Sequence, residues 1–162
     1  MEHTFSHTNS EGIPGMVNVE HKIPTYRTAK AYGRVIFPLE VFDELQKKDF
    51  VAAKGSIVQC AIIAGTMAAK QTDKLIPFCH SLPLERCRIQ IGIHTEQYSM
   101  EVLAEVATTA KTGVEMEALT AVSVSCLCIY DMVKALGHDL RISDIRLEEK
   151  TGGKNNFKRN EI

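Results

Sequence analysis

Residues 87–106 read CRIQIGIHTEQYSMEVLAEV, and this stretch decides the fold class. Apolar residues alternate with polar, charged or small ones from Cys87 to Ile93, and apolar residues again occupy every second position from Met100 to Val106. A period of two is typical of a β-strand with one buried face. The polar segment 94–99 between the two runs supplies a turn. Residues 87–106 therefore predict a β-hairpin.

Helical and extended patterns flank this hairpin on both sides. Upstream, residues 27–37 alternate with a period of two, Pro38 can open a short helix, and 57–70 reads as a buried helix. Its small-residue face is expected to permit close subunit or helix–sheet packing and consists of Ala61, Ala64, Gly65 and Ala68. Downstream, helix formers dominate 114–136, Gly137 is a plausible stop, and 140–147 reads as a strand.

The predicted order is strand, helices, strand, strand, helix, strand. This is the β-α-β-β-α-β pattern of ferredoxin-like α+β folds, with an antiparallel sheet and helices on one face. We expect three regions along the chain: a flexible N-terminal arm over 1–22, a single catalytic domain over 23–149, and a basic Gly/Lys tail over 150–162. Ferredoxin-like sheets serve many unrelated functions, so the chemistry must be argued from particular residues.

Composition narrows the class of protein. The 162 residues are 44% hydrophobic and 24% charged, with a net charge of -1, so no polyanionic partner such as nucleic acid is indicated. The N-terminal residues lack a secretory pattern, and the charge-free stretches are shorter than the roughly 20 apolar residues of a membrane span. The five cysteines include no C-x-x-C pair, which favours reduced thiols. We therefore expect a cytoplasmic protein that binds no membrane.

Two segments bring together residue types that can bind a small molecule. Cys79 and His80 lie between Pro77 and Pro83, which favours a rigid loop, although a Cys-His pair in a structural loop is the simpler alternative. Glu117 lies in the first turn of the long predicted helix, where the helix dipole favours a carboxylate. Its simpler alternative is helix capping.

Charged residues occur again near the other end of the long helix. Asp131 and Lys134 are three positions apart, on one helical face, after a run of uncharged residues. A surface ion pair is one interpretation. The apolar neighbours favour a partly buried pair instead, in which desolvation lowers the pKa of Lys134 and allows proton transfer near neutral pH.

Basic residues near glycines suggest anion contacts elsewhere in the chain. Lys54 precedes Gly55 and the start of a predicted helix, where free N–H groups face anions. The run 150–154 combines Lys150 and Lys154 with two glycines and could surround phosphate oxygens, or could be a solvated basic tail. P-loop, dinucleotide-binding and zinc-protease motifs do not occur, and no ligand cluster at metal spacing is visible.

Taken together, several segments resemble the cyclic pyranopterin monophosphate synthase family of molybdenum cofactor biosynthesis. The resemblance runs from about residue 15 to 154. It rests on 75-LIPFCH, 111-KTGVEMEALTA, 129-IYDMVKA and 150-KTGGK, with 16-MVNV, Arg27 and Lys54-Gly55 in the same order. The chain departs from the family pattern at Asn18, where Asp is usual, and at Ser81, where Pro is often found.

The resemblance implies an enzyme, a phosphorus-oxygen lyase that converts 3′,8-cyclo-7,8-dihydro-GTP to cyclic pyranopterin monophosphate and pyrophosphate. It implies Asp131 as the catalytic aspartate and Lys54 and Lys134 as basic residues placed around the nucleotide. We predict that these two lysines act as general acid and base. The residues expected to contact or surround the nucleotide are Phe78, Cys79, His80, Met116, Glu117, Arg27 and Lys150.

The same resemblance implies a homohexamer, arranged as a trimer of dimers, and a radical SAM GTP cyclase that supplies the substrate. We expect no tightly bound cofactor or metal, although Mg²⁺ could accompany the phosphates. Glu117 and Asp131 are fourteen residues apart, or about 21 Å along a helix, so we expect the site to lie at a subunit interface.

Two other functions fit the same architecture. An RNA-binding module is one, but residues 86–94 contain no Phe, Tyr or Trp on which bases could stack. The other is a non-catalytic nucleotide sensor, which would return its ligand unchanged.

Overall fold

A computed structural model describes residues 13–160 of the chain. Its main sheet has five antiparallel strands in the order β4-β5-β1-β6-β7, and a separate two-stranded hairpin is formed by β2 and β3. The strands are β1 (Thr25–Ile36), β2 (Val51–Ala52), β3 (Gly55–Ser56), β4 (Arg86–His94), β5 (Ser99–Ala110), β6 (Arg141–Thr151) and β7 (Phe157–Lys158). The helices are α1 (Leu39–Lys47), α2 (Ile57–Ala69), α3 (Thr72–Leu75) and α4 (Glu115–Val133).

The order β1-α2-β4-β5-α4-β6 confirms the predicted ferredoxin-like α+β fold. Helix α4 packs against β1, β5 and β6, while α2 packs against β4 and α4. The sheet face beneath these helices is apolar because Ala29, Ala31 and Val35 of β1 are fully buried there. The predicted hairpin pairs from Arg86↔Ala107 to His94↔Ser99, with a short 3-10 turn at Thr95–Gln97.

Strand β6 is longer than predicted from the sequence. Its last four residues, 148–151, are all charged or polar, so they show no alternating hydrophobic pattern. The strand continues to Thr151, and Lys30 pairs with Glu149 across the β1–β6 ladder at 2.9 Å. β7, β2, β3 and the single-turn helix α3 also went unpredicted, since each is only two to four residues long. The predicted arm before residue 13 lies outside the described residues.

The small-residue face of α2 packs within the chain, against α4. A Cβ added at Gly65 would lie 2.1 Å from the Ser125 Oγ atom and 2.7 Å from the Ala121 carbonyl oxygen. Ser125 also donates a hydrogen bond of 2.9 Å to the Ala61 carbonyl oxygen. The same Cβ would lie 2.7 Å from the Cδ1 atom of Ile89 in β4. The face therefore takes part in the helix–sheet packing expected from the sequence and also in helix–helix packing, which fixes the separation of α2 and α4.

Helix α4 lies equally close to the sheet. A Cβ at Gly33 of β1 would come within 2.4 Å of the Val122 Cγ1 atom. By length and composition the segment Glu115–Leu136 could cross a membrane, with a mean hydropathy of 1.6. In this fold it is the central helix over the sheet, and Val122, Cys126 and Ile129 are fully buried in the core.

Candidate active site

At the C-terminal end of α4, one carboxylate joins two ammonium groups. The Oδ2 atom of Asp131 accepts a hydrogen bond of 2.7 Å from Lys54 Nζ, and its Oδ1 atom lies 2.8 Å from Lys134 Nζ. Lys54 is 77 residues away from Asp131 in sequence. The fold therefore brings together the three residues that the sequence suggested as catalytic.

The position of Lys54 depends on the β2–β3 hairpin and on α2. Lys54 lies in the tight turn between the two strands, next to Gly55, whose φ of +110° disfavours any residue with a side chain. The chain then enters α2, where the Ser56 hydroxyl accepts a hydrogen bond from the Gln59 N–H and caps the helix. Because α2 packs tightly on α4, this turn is held over the last turn of α4.

The two lysines keep Asp131 ionised. Hydrogen bonds from Lys134 and Lys54 lower the pKa of Asp131 to about 2. The same hydrogen bond, together with the charge of Asp131, raises the pKa of Lys54 above its ordinary value. Without a ligand, Lys54 is therefore a firmly protonated group that can donate a proton or a hydrogen bond.

The three side chains are more exposed than the sequence interpretation assumed. Lys54 is 65% exposed, Asp131 48% and Lys134 50%. The sequence interpretation assumed a partly buried Lys134, and this chain alone does not bury it. A ligand or a neighbouring subunit would have to remove water from the trio.

At the N-terminal end of α4 a cavity of about 280 Å³, here called the His80 cavity, opens between the helix and the loop before β4. Five of the seven residues expected to contact or surround the nucleotide line this cavity, whereas Arg27 and Lys150 do not. The residues that line it are Phe78, Cys79, His80, Leu82, Thr112, Gly113, Glu115, Met116 and Glu117. The structure therefore brings residues from two distant segments of the chain together in one cavity.

Glu117 is the buried acid of this cavity, with only 4% of its surface exposed. Burial raises its pKa to about 7, and the nearby charges of Glu115 and Asp73 add to the shift, although a hydrogen bond to its own backbone opposes it. Burial likewise raises the pKa of the Cys79 thiol, followed by the charge of Glu117. Cys79 therefore remains a neutral thiol, while Glu117 can exchange a proton near neutral pH.

His80 is oriented by the backbone of the segment before β1. Its Nε2 atom lies 2.9 Å from the carbonyl oxygen of Val17. This hydrogen bond holds the His80 ring. The contact could not be predicted from the sequence, because a backbone carbonyl leaves no signature in the residue type.

A second, smaller cavity of about 130 Å³ adjoins the first and shares Gly113 and Glu115 with it. Its lining is basic and glycine-containing, and consists of Arg27, Thr28, Gly113, Glu115, Lys150, Thr151, Gly153, Lys154 and Asn155. The Arg27 Nε–H donates a hydrogen bond of 2.9 Å to the Ala110 carbonyl, which fixes the guanidinium at the cavity wall. The cavity can accept an anion.

One ion pair connects the two cavities. Lys150 Nζ lies 2.9 Å from Glu115 Oε1, at the boundary between the basic lining and the His80 cavity. The sequence did not point to Glu115, because its spacing of 35 residues from Lys150 carries no local signal. Within residues 13–160, no group of three or more His, Cys, Asp or Glu side chains is arranged to hold a metal ion.

Comparison with known proteins agrees with these features. The sequence profile of the MoaC family matches residues 16–153. A protein of Xanthomonas oryzae named "Cyclic pyranopterin monophosphate synthase" is 47% identical over 150 residues, covering 93% of this chain and 90% of the relative. A Helicobacter pylori protein of the same name is 46% identical, covering 93% and 94%.

A third relative is much longer than this chain. The Dictyostelium discoideum protein named "Molybdenum cofactor biosynthesis protein 1" is 42% identical over 167 residues, which cover 93% of this chain but 26% of the relative. The family profile spans the lining of the larger cavity, the Lys54–Asp131–Lys134 cluster and the lining of the smaller cavity except Lys154 and Asn155. The chain belongs to the MoaC family.

Proposed function

We propose that this chain is a cyclic pyranopterin monophosphate synthase of molybdenum cofactor biosynthesis, the activity for which its relatives are named. The observation that carries the proposal is the contact of Lys54 and Lys134 with one carboxylate, Asp131, within a chain that matches the family from 16 to 153. The reaction is the conversion of 3′,8-cyclo-7,8-dihydro-GTP to cyclic pyranopterin monophosphate with release of pyrophosphate. By this chemistry the enzyme is a phosphorus-oxygen lyase.

The phosphates belong in the smaller cavity. Arg27, Lys150 and Lys154 line it, and cationic side chains neutralise a triphosphate and stabilise pyrophosphate as it leaves. Mg²⁺ could accompany the phosphates, since it commonly binds through substrate phosphate oxygens rather than through a protein cage. The adjoining His80 cavity then receives the ring system of the nucleotide.

Proton transfer falls to the Lys54–Asp131–Lys134 cluster. Rearrangement of the ring system moves protons at several atoms, and an amine held by one carboxylate can both donate and recover a proton. Asp131 keeps its two partners charged and oriented until the substrate arrives. Exclusion of water by the bound nucleotide would then bring the pKa of a lysine toward neutrality.

The separation of the two ends of α4 supports a site shared between subunits. Glu117 and Asp131 lie about 21 Å apart along the helix, which is too far for one pterin-sized ring system. A neighbouring subunit that presents its Asp131 end to the Glu117 end of this one would complete the site and shield the exposed lysines. We propose that this assembly is a homohexamer built as a trimer of dimers.

Mixed assemblies test the shared site. Chains carrying Asp131→Ala and chains carrying Glu117→Ala are each expected to be inactive alone, and to regain part of the activity when co-expressed. The matched control mixes Asp131→Ala chains with Lys54→Ala chains, because both substitutions damage the same end of the helix and restore no complete site. If the first mixture stays as inactive as the control, the site does not join these two ends from different subunits.

The activity itself is tested with the purified protein and the cyclised nucleotide. The expected products are pyrophosphate and a pterin that becomes fluorescent on oxidation. Mass analysis of the bound ligand separates this enzyme from a nucleotide sensor, which would return the nucleotide unchanged. Unchanged nucleotide with Asp131 intact would reject the proposed function.

The cyclised nucleotide requires an enzyme that makes it, and we propose a radical SAM GTP cyclase in the cytoplasm as this functional partner. The longer Dictyostelium relative, of which this chain matches 26%, is consistent with a second activity on the same polypeptide in that organism. In a coupled reaction, adding the cyclase and GTP is expected to replace added cyclised nucleotide. If the coupled reaction fails while the purified cyclised nucleotide is converted, the proposed partner is rejected and the proposed function is not.

A further inference from the structure

The segment 13–24, here called the arm segment, is held to the His80 cavity by hydrogen bonds to its backbone. The carbonyl oxygen of Val17 lies 2.9 Å from His80 Nε2. Three residues further on, the carbonyl oxygen of Glu20 accepts a hydrogen bond of 2.8 Å from Lys111 Nζ. These two bonds attach the arm segment to the loop that contains His80 and to the segment that leads into α4.

Asn18 shapes the chain between these two attachment points. Its Oδ1 atom accepts a hydrogen bond of 2.8 Å from the Glu20 N–H, which closes an Asx turn. An aspartate offers the same acceptor oxygen at this position. The departure from the family pattern at Asn18 therefore keeps the turn while it removes a charge.

The contact with Val17 dictates where the His80 ring carries its proton. A carbonyl oxygen has no hydrogen to donate, so the Nε2 atom must be the donor in this bond. A neutral imidazole carries one N–H, which leaves Nδ1 with a free lone pair. The nitrogen that remains for a ligand in the cavity is then an acceptor.

We propose that the arm segment is a positioning element that fixes His80 in its Nε2–H tautomer, so that Nδ1 accepts a hydrogen bond from an N–H or O–H group of the ligand. Such an acceptor disfavours phosphate oxygens, which carry lone pairs of their own. The His80 cavity therefore selects the hydrogen-donating edge of a heterocycle, while Arg27 and Lys150 in the adjoining cavity select the phosphates.

The tautomer can be observed directly, without any turnover. Protein labelled with ¹⁵N only in histidine gives separate solid-state NMR signals for protonated and unprotonated ring nitrogens, whatever the size of the assembly. The His80→Gln protein identifies the His80 signals among the six histidines by difference. At a pH where the ring is neutral, the full-length protein is expected to show protonated Nε2 and unprotonated Nδ1; the reverse pattern overturns the proposal.

Two substitutions test whether the arm segment is responsible. Asn18→Ala removes the Asx turn, and Lys111→Met removes the bond to the Glu20 carbonyl while keeping an unbranched side chain. Each is expected to produce a mixture of both tautomers. Asn18→Asp is the matched control and should retain the pattern of the unaltered protein. If both test variants fold, as circular dichroism would show, and keep a single tautomer, the arm segment does not set it.

The consequence for catalysis rests on the proposed function and is measured separately. Asn18→Ala is expected to lower turnover of the cyclised nucleotide in proportion to the fraction of His80 that loses the Nε2–H tautomer, about twofold for an equal mixture, since only part of the population presents the acceptor nitrogen. Asn18→Asp is expected to match the unaltered protein. A mixed tautomer with unchanged turnover overturns the link to catalysis. A single tautomer in a protein that never turns over supports the positioning role and instead rejects the proposed function.

Discussion

The two ends of helix α4 carry carboxylates with opposite pKa shifts. Glu117, in the first turn, is 4% exposed, and burial raises its pKa to about 7. Asp131, near the last turn, is about half exposed, and two lysines lower its pKa to about 2. Both groups belong to one helix, so their surroundings and not their secondary structure decide when each holds a proton.

The difference suggests a division of roles along the helix. The buried acid can be neutral at physiological pH and can donate a hydrogen bond to a heterocycle. The exposed acid stays charged and holds two ammonium groups in place until a substrate arrives. Changes that remove one of these environments should therefore affect binding at one end and proton transfer at the other.

The largest effect is expected at the Asp131 end. Lys54→Ala and Lys134→Ala should each lower turnover by ~100-fold or more, because each removes a proposed proton-transfer group. Asp131→Asn should lower it to a similar degree, because it leaves both lysines without their partner. The measurement is pyrophosphate release at saturating nucleotide.

The matched control for these three variants is Lys47→Ala. Lys47 forms an exposed ion pair of 2.8 Å with Glu44 at the same i,i+3 spacing as Lys134 with Asp131, but on α1. This variant should keep the turnover of the unaltered protein. Near-normal rates for either active-site lysine variant would reject the assignment of that lysine.

The next effect concerns the contact that holds Lys54 over α4. Gly65→Ala places a methyl group against Ser125 and against the rigid Ala121 carbonyl, so we expect a loss of about 1–3 kcal/mol in the free energy of unfolding. Turnover should fall as well, because a wider separation of α2 and α4 moves Lys54 away from Asp131. Chemical denaturation at one fixed protein concentration measures the loss.

Gly15→Ala provides the comparison for Gly65→Ala, since an added Cβ there meets no atom within 4 Å. It should leave the free energy of unfolding unchanged within error. Equal stability of the two variants would mean that α2 and α4 can separate without cost, and the explanation for the position of Lys54 would be wrong.

The buried acid predicts an effect that appears in the pH dependence of stability rather than in turnover. Folded Glu117 holds its proton up to about pH 7, whereas an ordinary glutamate ionises near 4.5. The free energy of unfolding should therefore fall as pH rises from about 4.5 to 7, by up to about 3 kcal/mol, because the unfolded chain loses the proton first. In Glu117→Gln this part of the pH dependence should disappear.

Asp131 gives the opposite sign and serves as the internal comparison. Its pKa is lowered, so the stability it contributes is present above its ordinary value of 3.8 and is lost as pH falls toward 2. Asp131→Asn should therefore remove pH dependence only in the acid range. A Glu117→Gln protein that keeps the neutral-range slope would show that another group is responsible.

Much of the fold could be predicted from short-range patterns. The alternation in 87–106 predicted the central hairpin, and the alternation in 27–37 predicted β1. The tiny strands and the charged end of β6 were missed because their pairing depends on partners distant in sequence, such as Lys30 for Glu149.

The residues and contacts of the candidate site were harder to predict from the sequence than the fold. Its residues came from the family resemblance, since nothing local relates Lys54 to Asp131 across 77 positions. The ion pair of Glu115 with Lys150 and the contact of His80 with the Val17 carbonyl were missed for the same reason. The burial assumed for Lys134 was wrong for the single chain, because apolar neighbours in sequence occupy other faces of the helix.

The smallest effect is expected from Tyr130→Phe, and it tests what the Asp131 end requires. The Tyr130 hydroxyl donates a hydrogen bond of 3.2 Å to the His138 carbonyl, which ties the end of α4 to the segment before β6. Loss of this one exposed bond should cost less than about 1 kcal/mol of unfolding free energy and should change turnover less than about twofold. That result would mean that the ion pair with Asp131 is enough to position Lys134. A tenfold loss of turnover in a folded variant would instead show that the loop after α4 also positions it.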